Sequence, residues 1–276
     1  MYVDAHQHFW KNNPVEYGWI DESMQTLRRD FMPGDLEPEL ERSGFRASVA
    51  VQARQSLEET LWLLDLAARH SFIAGVVGWV DLRSPELRQQ LETLCRHRKF
   101  VGVRHIVQSE PDERFLLQPD FLRGIAMLEE FALSYDILIY TRHLGVAAEF
   151  VDRFPRQRFV LDHLAKPNIR TGNLTEWRQG IRKLAKFPNV FCKVSGMVTE
   201  ADWFRWKAAD FSSYLDIVFE SFGADRLMIG SDWPVCTVAG DYASVMNIVK
   251  DYISNLSQEE RDAVLGKTAQ ELYRLE

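Results

Sequence analysis

The chain has 276 residues, of which 46% are hydrophobic and 26% charged, proportions that exclude a stapled miniprotein and a largely disordered chain. Thirty-three Lys and Arg against forty Asp and Glu give a net charge of −7, so neither a nucleic acid nor an anionic membrane, both of which need a basic surface, is expected as partner. Cys95, Cys192 and Cys236 are odd in number and form no CxxC pair, which argues against a disulfide framework and a structural zinc site.

The chain opens MYVDAHQHFW, without a basic leader, and nowhere carries eighteen consecutive apolar residues; a protein of the reducing cytoplasm is expected. Val3–Phe9 is the first of eight short apolar, β-branched runs. An irregular stretch, Trp10–Pro33, separates it from a short helical segment at Pro38–Arg42. Ala47–Ala53 follows, then the amphipathic Ser56–Arg69, whose Ser56 and Glu59 have the spacing of a capping box. The runs Ile73–Val80, Phe100–Val107, Asp136–Thr141, Phe159–His163, Val190–Val194 and Arg226–Ile229 then alternate with helical patterns. Those helices are Ser84–Arg98, Pro119–Leu133, Ala147–Phe154, Thr175–Phe187, Phe211–Phe222, Tyr242–Ile253 and a closing Ser257–Tyr273. Strands continuous in small branched residues suit a parallel sheet covered by helices. Eight strand–helix repeats predict a closed (β/α)₈ TIM barrel of the α/β class, one domain over residues 1–276. An open doubly wound sheet fits less well, because no glycine-rich phosphate turn is present.

Chemistry-bearing residues gather where the strands end. His6 and His8 are two apart on the first strand, so their imidazoles share a face. The second and third strands end near Gln52 and Trp79, the fourth at Arg104 and His105, and the fifth at Arg142 and His143. The sixth ends at Asp162, His163 and Lys166, the seventh carries Lys193 and Ser195, and the eighth ends at Asp232. Five of the seven histidines fall at this pole, where a barrel builds its site from βα loops; His70 and His97 fall at helix ends, where the helix dipole favours them. Adjacent strand residues point opposite ways, so Arg104 and His105 cannot both enter the mouth while the strand persists. Trp203, in the irregular Thr199–Asp210, is a candidate wall or lid.

HxH on strand one, a histidine on strand six and a lone aspartate on strand eight resemble the amidohydrolase superfamily. The strings VAVQAR (49–54), GVRHIVQSEPD (102–112), FVLDHLAKPNI (159–169) and RLMIGSDWPVC (226–236) are similar to its sugar-acid lactonase branch, the L-fuconolactonase and L-rhamnonolactonase group, related to 2-pyrone-4,6-dicarboxylate lactonase. One departure is Lys267-Thr268-Ala269, where that branch usually has Asn-Ala. The resemblance implies a hydrolase that opens a cyclic ester of an aldonic acid. Such chemistry needs an activated water, a polarised carbonyl and a proton for the leaving alkoxide. Asp232 is the expected base and His163 the expected carbonyl donor, unless Asp162 simply holds that histidine. His6 and His8 serve the carbonyl or, with Asp232, hold one divalent metal such as zinc. Arg104, His105, Arg142, His143, Lys166 and Lys193 are candidate grips on substrate oxygens, with Gln52 and Trp79 as polar and stacking walls. The absence of a strand-four lysine argues against a binuclear centre. A lactone is an activated ester and the resembling lactonases depend little on metals, so no cofactor is strictly required and any ion is weakly held. A metal-dependent decarboxylase on the same barrel and a non-catalytic sugar-acid binder are the competing readings; assembly into a homo-oligomer is left open.

Overall fold

The computed structural model describes residues 1–276. Eight strands lie in sequence order, each parallel to the next: β1 Val3–Gln7, β2 Ala47–Val51, β3 Ile73–Gly78, β4 Phe100–His105, β5 Ser134–Ile137, β6 Phe159–Leu161, β7 Val190–Val194 and β8 Leu227–Ile229. Helices α1 Pro33–Arg42, α2 Leu57–Arg69, α3 Leu87–Leu94, α4 Pro119–Glu130, α5 Leu144–Asp152, α6 Thr175–Leu184, α7 Ser212–Phe222 and α8 Tyr242–Tyr252 alternate with them. This is the expected TIM barrel. No helix is long and apolar enough to cross a membrane.

Two apolar clusters follow from that geometry. The larger lies between barrel and helices. The smaller, including Val3, Ala5, Val49, Val51, Val77, Val160 and Met228, fills the barrel and is closed from below by Ala269, Leu272 and Tyr273. The closing segment is helical from Gln258 to Tyr273, as its periodicity predicts, with a π turn in its middle. Helix α9 Gln258–Asp262 and helix α10 Thr268–Tyr273 are separated by a π turn at Ala263–Lys267. Gly266 in that turn passes so near Met1 that a Cβ would sit 2.1 Å from its carbonyl oxygen, so only glycine lets the plug seat there.

Strand phase decides which side chains reach the interior. In β1 the register with β2 slips by one residue between Asp4 and Gln7. Val3 and Ala5 therefore face inward, and the extra residue turns His6 inward as well, with His8 following. A second slip places Val76 opposite Phe100 but Val77 opposite Gly102, and it turns Arg104 into the barrel. The strand-five run starts and ends earlier than its composition suggests, Ser134–Ile137 rather than Asp136–Thr141, which leaves Arg142 and His143 in a 3₁₀ turn beyond the strand.

The seam between β1 and β8 is closed by few backbone bonds, His8 N–H to the Trp233 carbonyl at 2.7 Å and Asp232 N–H to the His6 carbonyl at 2.8 Å. Asp4 staples the same seam. Its buried carboxylate accepts from Ser231 N–H at 2.9 Å, Ser231 Oγ at 2.6 Å and Tyr242 Oη at 3.0 Å.

The Ser56–Glu59 capping box forms only by half. Ser56 Oγ accepts from Glu59 N–H at 3.2 Å, but the Glu59 side chain turns away to accept from Ala53 N–H and Arg54 N–H, both at 2.9 Å, and from Tyr17 Oη at 2.9 Å. It thereby ties the long first loop to the loop after β2. Burial raises this carboxyl to about 7 against the pull of those hydrogen bonds. A raised carboxyl binds its proton more readily folded than unfolded, so its contribution to stability falls as pH climbs through about 4.5 to 7 and is flat above. Glu59→Gln removes that dependence. The melting temperature of the variant relative to wild type should rise between pH 5 and pH 8, corresponding to about 1–3 kcal/mol, as read by calorimetry at matched ionic strength.

Candidate active site

The deepest polar layer lies inside the barrel. Lys193 Nζ is 2.6 Å from Asp136 Oδ2, 3.2 Å from Asp162 Oδ1 and 3.2 Å from His6 Nδ1. Arg104 Nη1 donates to Asp162 Oδ2 at 2.9 Å and approaches His6 Nε2 at 3.3 Å. Tyr273, from the plug, donates to Asp136 at 2.8 Å. Two cations thus meet two carboxylates with no charge left over. Burial alone would raise Asp162, but Lys193, His6 and Arg104 hold it well below the usual carboxylate range.

Above this layer three imidazoles converge on one carboxylate. Asp232 Oδ1 lies 3.3 Å from His8 Nε2, 3.7 Å from His163 Nε2 and 3.8 Å from His6 Nε2. Each ring is oriented from behind: His8 Nδ1 donates to the Val51 carbonyl at 2.7 Å, His163 Nδ1 meets Ser195 Oγ at 2.9 Å, and His6 Nδ1 is 3.4 Å from Asp162. Asp162 therefore holds His6 rather than His163. Burial would raise Asp232, but His163 first, and then His8 and His6, pull it below the usual carboxylate range. Burial pushes His163 down to about 4, so it is neutral near pH 7.

Backbone conformation aims these groups. After β6 the four residues His163, Leu164, Ala165 and Lys166 all have positive φ, from 49° to 58°, a conformation that costs about 1–2 kcal/mol per non-glycine residue. The Trp177 Nε1–H to Leu164 carbonyl bond at 2.7 Å and the Lys166 N–H to His163 carbonyl bond at 2.7 Å hold the run in place. Asp232 is also left-handed, at φ 57°. Strain of this kind collects at functional sites. Gly196 leaves room for His163, since a Cβ there would stand 2.5 Å from its Nδ1.

A cavity of about 360 Å³ opens over this centre, lined by His8, Arg104, His163, Lys166 and Asp232. Its volume is in the range of small-molecule sites, about 300–1,000 Å³. The long first loop contributes Glu16 and Trp19 to the wall, and the loop after β2 contributes Arg54. Position at the same pole was the available clue for Arg54 and for Gln108, each three residues past the end of its strand, and for Leu138, which directly follows β5.

Several expected contacts lie elsewhere. Lys193 is fully buried in the ion network beneath the cavity and is not a substrate cation. His105 points outward because Arg104 points inward; it stacks on Phe115 at 4.8 Å and bonds Glu110 at 2.6 Å. Trp79 packs beside it, with Nε1 3.4 Å from His105 Nδ1. Gln52 is buried and donates to the Arg104 carbonyl at 3.3 Å. His143 is buried and accepts from Tyr140 N–H at 3.2 Å. Arg142 and Trp203 line a different recess, which meets the cavity at Lys166.

The donor set can accommodate a cation. His8 Nδ1 carries hydrogen toward Val51, and Arg104 donates toward His6 Nε2, so both Nε2 atoms present lone pairs. They stand 3.2 Å apart beside the Asp232 oxygen, and the three groups fall within the span of one metal's ligands.

A family model described as Amidohydrolase matches residues 3–275. An L-fucono-1,5-lactonase of Burkholderia multivorans is 42% identical over 284 residues, covering 99% of this chain and 96% of that protein. One of Burkholderia ambifaria is 39% identical with the same coverage, 99% and 96%. A crystal structure of an amidohydrolase from Burkholderia multivorans with bound zinc has a TM-score of 0.97 and 41% identity, covering 100% of both chains. With the strand-one HxH, the strand-six histidine and the strand-eight aspartate gathered at one barrel mouth, the chain belongs to the amidohydrolase family.

Proposed function

We propose that the protein is a lactonase that opens the ring of a six-carbon sugar-acid lactone, with L-fucono-1,5-lactone as its reference substrate. The observation that carries this reading is the ionised Asp232 set among three imidazoles on the floor of a cavity walled by the donor groups of Arg54, Arg104 and Lys166. The likeness over full length to two L-fucono-1,5-lactonases supports it.

The chain's own groups suffice for each step. Lys166 and Arg104 offer N–H donors to the hydroxyls of the oxygen-rich lactone and later to its carboxylate product. The Ser195 hydroxyl donates to His163 Nδ1, which leaves a neutral Nε2–H facing the cavity to polarise the carbonyl oxygen. Asp232 takes a proton from water as its oxygen bonds to the carbonyl carbon. The negative charge that develops on the carbonyl oxygen is held by His163. When it collapses, the ring C–O bond breaks and Asp232 returns its proton to the departing alkoxide. One water is consumed and a hydroxy acid is formed.

His6, His8 and Asp232 would hold a divalent ion, and a relative at 41% identity with bound zinc supports one here. Such an ion, when bound, lowers the pKa of water and polarises a carbonyl. Arg104, however, already engages the His6 Nε2 lone pair at 3.3 Å, and its fixed positive charge opposes a dication beside it. On this reading the ion is weakly held and dispensable.

Ring opening near neutral pH releases one proton per turnover, whereas decarboxylation would release CO₂. A pH-indicator assay should show kcat/KM for L-fucono-1,5-lactone at least about a hundredfold above that for γ-butyrolactone, which lacks the hydroxyls that grip the walls; equal values would refute the assignment. Asp232→Asn keeps size and hydrogen bonding but removes the proton acceptor. Its kcat should drop by roughly 10²–10⁴ with the melting temperature retained. Dialysis against a strong chelator, followed by metal analysis and reassay, should leave most activity in place; loss that only stoichiometric zinc restores would make the ion essential.

A further inference from the structure

Beside the reaction cavity lies a second, larger recess of about 800 Å³, and the two meet at Lys166. The inner cavity, about 360 Å³, is already of a size for one small ligand, so a single hexonolactone leaves the outer recess unused. Its walls come from the turn after β5, the segment after the left-handed run and the loop after β7. Three cations, Arg142, Lys166 and Arg170, face three carboxylates, Glu176, Glu200 and Asp202, a formal balance of zero. Tyr140 presents its ring beneath two of the cations, with the Arg142 guanidinium at 4.9 Å and Lys166 Nζ at 5.6 Å. Trp203 is fixed by its Nε1–H to the Thr199 carbonyl at 2.9 Å, and Phe204 stands at the rim 90% exposed.

This lining selects a chemistry. A second anion would meet three carboxylates, and an apolar group would strip water from a charged lining, the Lys166–Glu200 pair at 4.0 Å included, and offer it no hydrogen bond in return. A neutral polyhydroxylated ring satisfies both kinds of wall: its C–H face lies on an aromatic plane, and its hydroxyls donate to carboxylates and accept from guanidinium forks. We infer that the outer recess is a glycosyl subsite, and that the enzyme opens aldonolactones bearing a second, neutral sugar on a ring hydroxyl. The lactone ring sits over Asp232 while the glycosyl group passes Lys166 into the recess. This inference rests on the lactonase reading.

The test uses galactosyl-L-fucose disaccharides substituted at O2, O3 or O4, each oxidised to its 1,5-lactone, with unsubstituted L-fucono-1,5-lactone as the parent. At least one glycosylated lactone should be hydrolysed by the wild-type enzyme with kcat/KM within about tenfold of the parent. Phe204→Ala should raise the KM of that substrate about three- to tenfold. Thr171→Trp, which fills the recess from an exposed position on its wall, should cut its kcat/KM at least about tenfold. Neither variant should change the parent reaction by more than about twofold. Glycosylated lactones that all fall more than about tenfold below the parent, or variants that slow both substrates equally, would overturn the subsite. An enzyme inert on the parent itself would overturn the lactonase reading and the subsite with it, and the parent arm alone distinguishes that result.

Discussion

Four charged groups shut inside an apolar barrel must neutralise one another, and the site is built on how they do so. Lys193 and Arg104 divide between Asp136 and Asp162 at distances of 2.6 to 3.2 Å. Ion pairs this deep contribute little net stability, because desolvation consumes most of the Coulombic gain. Their effect is positional. Asp162 satisfies Lys193, Arg104 and His6 together, and the His6 ring meets the same groups, with Nδ1 facing Asp162 and Lys193 and Nε2 facing Arg104. Tyr273 extends the same network to the closing helix, so the plug that seals the bottom also anchors the groups that face the top.

The mouth then depends on departures from regular backbone. Strict alternation from Val3 would have turned His6 toward the helices; the one-residue slip in β1 sends it and His8 inward together. A similar slip selects Arg104 over His105. At β6 a run of left-handed residues turns His163 over the carboxylate and Lys166 toward the substrate wall. The Trp177 and Ser195 hydrogen bonds help hold this conformation, and a rigid array at the site is the result.

Sequence periodicity was enough to read the barrel, since eight parallel strands buried on both faces are continuous apolar runs. The HxH pair, His163 and Asp232 were legible because strand ends of a barrel share one pole. The direction of individual side chains was not legible. Lys193 looks like a surface grip in sequence, and only the facing Asp136 and Asp162 from other strands show it to be a buried counterion. His105, His143 and Gln52 were misplaced for a related reason: a register slip or an early strand end shifts the inward phase without leaving a mark in composition. Asp4 carries no local mark either, because its partners lie 227 and 238 residues away.

That seam between the first and last strands has a thermodynamic meaning. One side carries His6 and His8, the other carries Asp232, and apart from the Asp4 staple they are joined by the bonds of His8 and Asp232 N–H and by the Ser231 hydroxyl to the His6 carbonyl at 3.3 Å. Amides held by so few bonds exchange with solvent through local opening rather than through global unfolding. A lactone bound as proposed, against His8 and Asp232, would span the seam and act as a clasp across it. Substrate binding in that position and closure of the barrel would be one linked equilibrium, in which ligand protects the amides on both strands and raises the apparent stability of the fold by mass action.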